Sequence, residues 1–544
     1  MRGMFIAGVA MSVSSLYANA VQTDVFIYGA TPAGITAAIE SRRAGRSVVL
    51  VEPSRHIGGL TTGGLGWTDT GDKSAYGGLA RQFYADVKTY YDNPAAWRWM
   101  KPQKEKGDTK WTFEPSVARK ILDGWLAREG IVPVLGERLD RAKGGVALDN
   151  ARRIVCVKAE SGNVYKARVF VDATYEGDLM AAAGVKYFVG REASGVYGEE
   201  YSGVQVKRAR GNQLPRGISA YRKDGDPSSG LLPGIDPTPV EPDGTGDKRV
   251  QAYCYRLTLT NVERNRRPLE KPAHYDESEY EILLRMYERG LAKGLPYKVS
   301  PMPNRKTDSN NTGGFSMDYI GRNWNYPEAS YAEREKMHSA HRDYQQGLLW
   351  TMANHPRIPQ DVRDAAAKWG LCRDEFPETD GWTPQLYVRE ARRMVSGYVM
   401  TDRHCRGLVS VPRPVALASY QMDSHNVRRY VADDGTVRNE GDVQVHGERR
   451  AFGIDYLSIV PKKGECANLI VPICLSASHM AYGAIRMEPV FFALGQSAGA
   501  AASLACVSEC AVQDVPYAQL REKLVAGGQV IEPPVKNPKK ESNK

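Results

Sequence analysis

Residues 24–52 constrain this chain more than any other segment. Residues 24–28 are a short apolar run containing Val25, Phe26 and Ile27, and residues 47–51 are a second. Between them lie Gly29-Ala30-Thr31-Pro32-Ala33-Gly34 and a stretch of helical character, residues 35–43. Gly45 is suited to ending that helix, because glycine enters the left-handed region without steric cost. A strand–helix–strand unit of about 30 residues is the size of a parallel crossover. The turn keeps the outer glycines of the dinucleotide fingerprint G-x-G-x-x-G, with Thr31 in place of the middle one. Gly29 permits the tight turn, and Gly34 lets the helix pack close to the strand. The helix N-terminus then offers free N–H groups and a positive dipole end to a pyrophosphate. Thr31 adds a hydroxyl donor but narrows the backbone approach. Alone, this turn does not separate a binding site from a bare strand–turn–helix. Glu52 shifts the balance, because a carboxylate at the end of the second strand hydrogen-bonds ribose hydroxyls and disfavours a 2′-phosphate.

The next segment separates nicotinamide from flavin. Glu52-Pro53 is followed by Arg55-His56-Ile57-Gly58-Gly59 and then Thr61-Thr62-Gly63-Gly64. A nicotinamide domain starts its third strand sooner; here the chain stays in a glycine loop able to run along an extended cofactor. This resembles the FAD-dependent oxidoreductases of the glutathione-reductase-type superfamily. Two later segments extend the resemblance. Val171-Asp172-Ala173-Thr174-Tyr175-Glu176-Gly177-Asp178 looks like the second cofactor strand, and Leu139 matches the position that lays its backbone against adenine. Arg486-Met487-Glu488-Pro489, followed by Gly495-Gln496-Ser497-Ala498-Gly499, looks like the C-terminal flavin motif, whose helix N-terminus points at the isoalloxazine. Strings such as Gly58-Gly59-Leu60-Thr61-Thr62-Gly63-Gly64, Glu114-Pro115 and Ser478-His479 are similar to an exported bacterial subgroup, sometimes labelled xanthan lyase-like. The resemblance spans roughly residues 24–186 and 384–504.

The resemblance implies an α/β protein: a Rossmann-like FAD-binding domain of the glutathione-reductase type, with an inserted α+β substrate or cap region. FAD would contact Gly29, Thr31, Pro32, Ala33, Gly34, Glu52, Pro53, Gly58, Gly59, Leu139, Ala173, Thr174, Gly495, Gln496 and Ala498. The implied reaction is hydride transfer between flavin N5 and a small or carbohydrate-like substrate, with a separate electron acceptor.

At 544 residues the chain exceeds one core. Arg2, an apolar stretch over residues 4–16 and Ala18-Asn19-Ala20 read as a signal peptide over residues 1–20, giving a periplasmic or extracellular protein. There is no twin-arginine pair, which points to the general secretion route and to cofactor loading after export. The FAD-binding part is expected over residues 24–190 and 456–512, the substrate or cap region over 191–455, and a C-terminal extension with a frayed tail over 513–544. Helices are expected over residues 78–91, 116–129, 279–294 and 384–400. Strands are expected at 131–135, as a hairpin of 154–157 with 164–169, and in a further strand opening at 169. The apolar stretch 490–507 is interrupted by Gly495, Gln496, Ser497 and Gly499, so it reads as a buried helix rather than a membrane span. The net charge of +10 is interspersed along the chain and accompanied by no nucleic-acid motif. Eight cysteines without a C-x-x-C argue against a metal knuckle or dithiol site and leave disulfide pairing open.

A flavin performs its own electron chemistry, and the protein supplies position and a proton partner. His479, just before the expected flavin helix, is the first candidate for that proton, with Tyr482 as a hydroxyl donor. Arg486 either anchors an anion or steadies reduced flavin, or it pairs with Glu488 or Glu114. Arg389, Arg392 and Arg393, on a helix starting near Pro384, read as a solvated basic face. His56 lies where some related flavoenzymes attach FAD covalently. There is no G-x-S-x-G elbow and no H-E-x-x-H, which argues against a common hydrolase or zinc protease. Two rival readings stand beside the main one. One is a secreted polysaccharide-associated lyase or binding protein on the same fold, with a structural or vestigial flavin. The other is an NAD-dependent dehydrogenase, which Glu52 permits and the late glycine motif disfavours.

Overall fold

The computed structural model describes residues 20–445 and 451–533. The expected signal peptide and the lysine-rich tail fall almost wholly outside these. The chain starts with strand β1 (Val21–Tyr28), helix α1 (Pro32–Arg43) and strand β2 (Val48–Glu52). β1 and β2 pair in parallel, Val25 opposite Val48 and Tyr28 opposite Val51. The inward-facing Val25, Phe26, Ile27, Leu50 and Val51 are buried, as expected of a parallel strand covered on both faces. Helices α2 (Gly78–Asp92) and α3 (Pro115–Arg128) follow, each with one apolar face turned inward. Strand β3 (Val134–Leu135) is shorter than expected; it adds to β2 in parallel.

Strands β4 (Val146–Leu148), β5 (Ile154–Lys158) and β6 (Val164–Asp172) complete this half of the sheet. The expected hairpin is present as β5–β6, antiparallel, with Val157 opposite Tyr165. The separate strand expected from residue 169 is instead the continuation of β6, whose whole length pairs with β1 from Tyr165 to Asp172. After β6 the chain leaves the sheet, and it returns at strand β7 (Leu469–Ile470), parallel to the end of β6. The sheet order is β3-β2-β1-β6-β5-β4, with β7 beside β6.

The excursion carries a four-stranded antiparallel sheet, built from Ser300–Met302, Lys306–Ser309, Leu257–Thr260 and Gly370–Leu371. It also carries the long helix α4 (Tyr331–Asn354), which opens with a reciprocal capping box between Ser330 and Glu333. The helix expected over 279–294 is shorter, at Glu281–Glu288. The helix expected over 384–400 is absent. Its residues form two short strands, Leu386–Tyr387 and Arg392–Met394, the second paired with Tyr187–Val189. The arginines there are buried, not solvated. Arg392 reaches Asp178 at 2.8 Å, Arg393 reaches Glu192 at 2.6 Å, and Arg389 reaches Asp318 at 2.9 Å. Partners remote in sequence override the helical spacing, since a buried charge is tolerated only when paired.

Helices α5 (His479–Ile485), α6 (Glu488–Ser508) and α7 (Tyr517–Ala526) close the chain. α6 is the one described helix long and apolar enough to cross a membrane, and 89% of that window is buried inside the fold against α1. All eight cysteines are free thiols.

Candidate functional site

The cradle begins at the turn between β1 and α1. Gly29 has φ +101°, and a Cβ there would stand 2.7 Å from the carbonyl oxygen of Ala173; one on Gly34 would stand 1.8 Å from the Gly29 carbonyl oxygen. Only glycine lets turn, helix and β6 approach this closely. The Thr31 hydroxyl donates to the Ala173 carbonyl at 2.7 Å and accepts from the Gly34 N–H at 3.3 Å. The expected outward donor is thus turned inward, capping α1 and clamping it to β6. Glu52 accepts from the Ala30 N–H at 2.7 Å through one oxygen and from the Ser54 N–H at 2.8 Å through the other. Burial pushes its carboxyl above the usual range, against these hydrogen bonds.

Gly29, Thr31, Glu52, Pro53, Gly59 and Thr174 come together on one cavity of about 420 Å³. Pro32, Ala33 and Gly34 lie behind it, buried in the first turn of α1. Gly58 braces the wall by donating its N–H to the Ala30 carbonyl at 2.7 Å, and Ala173 serves as the anchor for Thr31. Leu139 departs from expectation. Its N–H donates to the Tyr28 hydroxyl at 2.9 Å, and its carbonyl accepts from Tyr331 at 3.3 Å, so tyrosines hold both groups expected to face adenine. Sequence reasoning missed the opposite wall, which α4 supplies through Tyr331, Arg334 and His338. Its one local signal was the Ser330–Glu333 capping box. Glu176 also lines the cavity, and burial pushes its carboxyl up to about 7 although Arg334 opposes the rise. His56 is held away from the cavity by Thr62 Oγ1, 2.8 Å from Nε2.

The late motif requires correction. Gly495, Gln496 and Ala498 sit two turns inside α6, whose first turn is marked by Pro489. A Cβ on Gly495 would stand 2.1 Å from the Ala33 carbonyl oxygen, and one on Gly499 would stand 2.5 Å from that of Ala37. These glycines form a helix–helix seam with α1. The Gln496 carboxamide accepts from the Leu79 N–H at 2.9 Å, on a different face from the cradle. What α6 does direct at the cradle is its N-terminal Glu488. That carboxylate accepts from Tyr175 at 2.8 Å and Thr61 at 2.7 Å, and burial pushes it up to about 7.

His479 is also displaced from its expected role. It is 2% exposed and belongs to the wall of neither the cradle nor the chamber that Arg486 lines. Its Nδ1 stands 2.8 Å from Glu390, and its N–H donates to Glu192 at 3.1 Å. Burial would raise the Glu390 carboxyl, but His479 and Arg393 outweigh it and hold it at about 2. His479 is therefore part of a buried hydrogen-bonded cluster with Glu390, Glu192 and Arg393. Tyr482 is buried beside it, its phenol pushed well up by burial.

Arg486 alone of the three candidates faces a cavity, but it pairs with neither Glu488 nor Glu114. It lies 3.2 Å from Asp423 and hydrogen-bonds the Tyr387 hydroxyl. This second chamber, about 250 Å³, is lined by Asp69, Arg256, Tyr387, Tyr420, Asp423, His425, Arg486 and Met487, with several carboxamides. Consecutive residues tie the two walls together: Met487 lines the chamber, and Glu488 is bonded to Tyr175 of the cradle.

The sequence matches the family of FAD dependent oxidoreductases over residues 24–524. The chain belongs to that family. It is an FAD-dependent oxidoreductase, and FAD is its cofactor. No curated protein matches the chain. Among solved structures, a flavin-containing monooxygenase from Stenotrophomonas maltophilia is 17% identical over 34% of this chain and 44% of that one, with a TM-score of 0.19. A 3-ketosteroid-delta4-(5alpha)-dehydrogenase from Rhodococcus jostii is 17% identical over 32% and 50%, with a TM-score of 0.20. A flavocytochrome c3 fumarate reductase is 14% identical over 38% and 50%, with a TM-score of 0.22. This oxidoreductase thus spans half or less of each, and at such TM-scores these likenesses carry no argument. The residues present fit FAD. Glu52 presents a carboxylate to ribose on the same cavity wall as Gly29, and the positive N-terminal end of α1 opens there at Thr31, suited to a pyrophosphate. An oxidoreductase also requires a substrate and an electron acceptor.

Proposed function

We propose that this enzyme uses a glutathione-reductase-type dinucleotide fold to transfer a hydride between a small, carbohydrate-like substrate and FAD, and that it does so outside the cytoplasm after export. The FAD-binding part is assembled from residues 24–190 and 456–512, and residues 191–455 form the substrate side and cap. Supporting this division, β7 returns to the sheet after the excursion, while α4 from the middle region covers the cradle. Bound FAD supplies two-electron chemistry at a carbon–hydrogen bond.

The chain's own residues do the rest. Glu52 receives the ribose hydroxyls, and the N-terminus of α1 faces the pyrophosphate. Glu488, Tyr175 and Thr61 form a closed hydrogen-bond set that fixes the start of α6 against the glycine loop. Arg486 is steered by Asp423 and Tyr387 to the chamber wall, where it orients polar substrate groups. The observation that carries the reading is the link between the two walls at Met487–Glu488, where a chamber residue adjoins one bonded to Tyr175 of the cradle.

Photoreduction of the purified protein under anaerobic conditions, followed by readmission of an artificial electron acceptor, tests it. The expected result is a flavin spectrum that bleaches and fully returns. A bound flavin that no reductant cycles would refute the enzymatic role.

A further inference from the structure

The chamber beside Met487 holds a histidine that the sequence did not single out. His425 Nδ1 stands 2.8 Å from Asp318 Oδ2, while the other Asp318 oxygen is 2.9 Å from Arg389. Burial would raise the Asp318 carboxyl, but Arg389 and His425 outweigh it and hold it at about 2. An ionised carboxylate only accepts, so Nδ1 donates to Asp318, which leaves Nε2 as the ring atom able to exchange a proton with a guest. The backbone fixes the ring as well, because the His425 N–H donates to Gln251 at 3.0 Å. His425 lines the chamber, and Nε2 is 3.7 Å from Asp423 Oδ2, beyond hydrogen-bond range. This is an oriented base facing a cavity, the second link of the arrangement used for activating hydroxyls.

The walls indicate what enters. At about 250 Å³ the chamber lies just below the range of drug-sized ligand sites, about 300–1,000 Å³. Its charges balance: Arg256, Arg486 and Lys298 stand against Asp69, Asp308 and Asp423, with Arg256 held by Asp308 at 2.6 Å and Arg486 by Asp423 at 3.2 Å. That leaves hydrogen-bonding capacity without a net demand for an anion. Asn310 is 92% buried and lines the chamber, and its side-chain oxygen has no partner among the described residues. A buried carbonyl of this kind is costly unless a guest donates to it. A compact neutral molecule bearing several hydroxyls satisfies both conditions.

We propose that this chamber takes a monosaccharide or polyol and that His425 Nε2 accepts the hydroxyl proton as the alcohol carbon is oxidised. The inference rests on the FAD reading above. The O–H proton goes to His425, and the carbon's hydrogen leaves with its bonding pair, the two-electron oxidation that FAD supplies. The product is the carbonyl compound. Asp318 is a positioning residue: it holds the ring in place through Nδ1.

The test uses FAD-loaded enzyme, anaerobic, with xylitol and D-glucose as probes and D-gluconate and cyclohexanol as charged and apolar controls. Calorimetry reads binding, and bleaching of the visible flavin band reads oxidation. A neutral polyol or sugar is expected to bind and bleach. His425→Asn should keep binding within a few-fold and slow bleaching by about 10²–10⁴-fold, the usual reach of a general base. His425→Gln repeats the measurement, and the flavin band confirms folding of each variant. Asp318→Asn should slow bleaching less, and Asp318→Glu, which keeps the carboxylate, should restore most of the rate. Wild-type bleaching rates in both His425 variants would overturn the base. No heat with either neutral probe, on enzyme whose flavin still photoreduces, would overturn the chamber assignment while leaving the FAD reading intact. Absence of flavin bands would overturn both.

Discussion

Gly495→Ala distinguishes a packing glycine from a flavin-contact glycine. The added Cβ would stand 2.1 Å from the Ala33 carbonyl oxygen and 2.2 Å from Thr36 Oγ1. Comfortable contact for a carbon needs about 3.5 Å, so α1 and α6 must separate by about 1 Å at this point. Ala33 is backbone in the first turn of α1, and Thr36 is locked by its own bond to the Phe492 carbonyl at 2.9 Å, so neither yields easily. Overpacking of this kind costs about 1–3 kcal/mol. At a urea slope of ~3 kcal/mol/M or more, the unfolding midpoint falls by several tenths of a molar. The deciding assay is urea unfolding of the FAD-stripped protein, because a packing defect is present whether or not cofactor is bound. An unchanged midpoint in the stripped variant, with loss confined to the FAD-loaded form, would refute the seam and restore the glycine as a flavin contact.

Glu488→Gln should change the pH dependence of stability. The folded carboxyl sits near 7, against an ordinary value of 4.5, so the folded chain keeps a proton that the unfolded chain releases first. The stability this proton contributes is present below about 4.5 and lost as pH rises to about 7, on the order of 3 kcal/mol in all. Unfolding curves at several pH values should therefore show wild type losing ground to the Gln variant across that window; parallel curves would contradict it. His479→Asn should lower the thermal midpoint by disturbing the Glu390–Arg393 cluster, while the rate per bound flavin changes less than tenfold; a larger fall in rate at full flavin loading would return His479 to the chemistry. Lys306→Met should destabilise by about 3–5 kcal/mol, since it strands Glu114 and Glu375, now 2.7 and 2.6 Å from the ammonium; a loss under 1 kcal/mol in urea would show the cluster to be dispensable.

Local signals were legible in the sequence. The β1–α1–β2 unit, Glu52, and helices α2 and α3 follow from short-range patterns: apolar runs, glycines at fixed offsets and one-sided apolar faces. Long-range pairings were not legible. Arg389, Arg392 and Arg393 carry helical spacing, yet acids 71 to 214 positions away draw them inside as strand and loop. Gly495 and Gly499 are four apart, a spacing that serves a helix seam as well as an anion turn, and only the position of Ala33 and Ala37 tells them apart. His479 looked catalytic by its place before a glycine-rich helix. His425 looked ordinary because Asp318, which orients it, lies 107 residues upstream.

The FAD-bound crystal structure tests most directly whether one cofactor joins the early cradle to the chamber. The adenosine ribose should lie on the Glu52 carboxylate, and the isoalloxazine should reach the wall formed by Tyr387 and Met487. A flavin ring directed away from that wall, or a nucleotide seated apart from Glu52, would contradict the account.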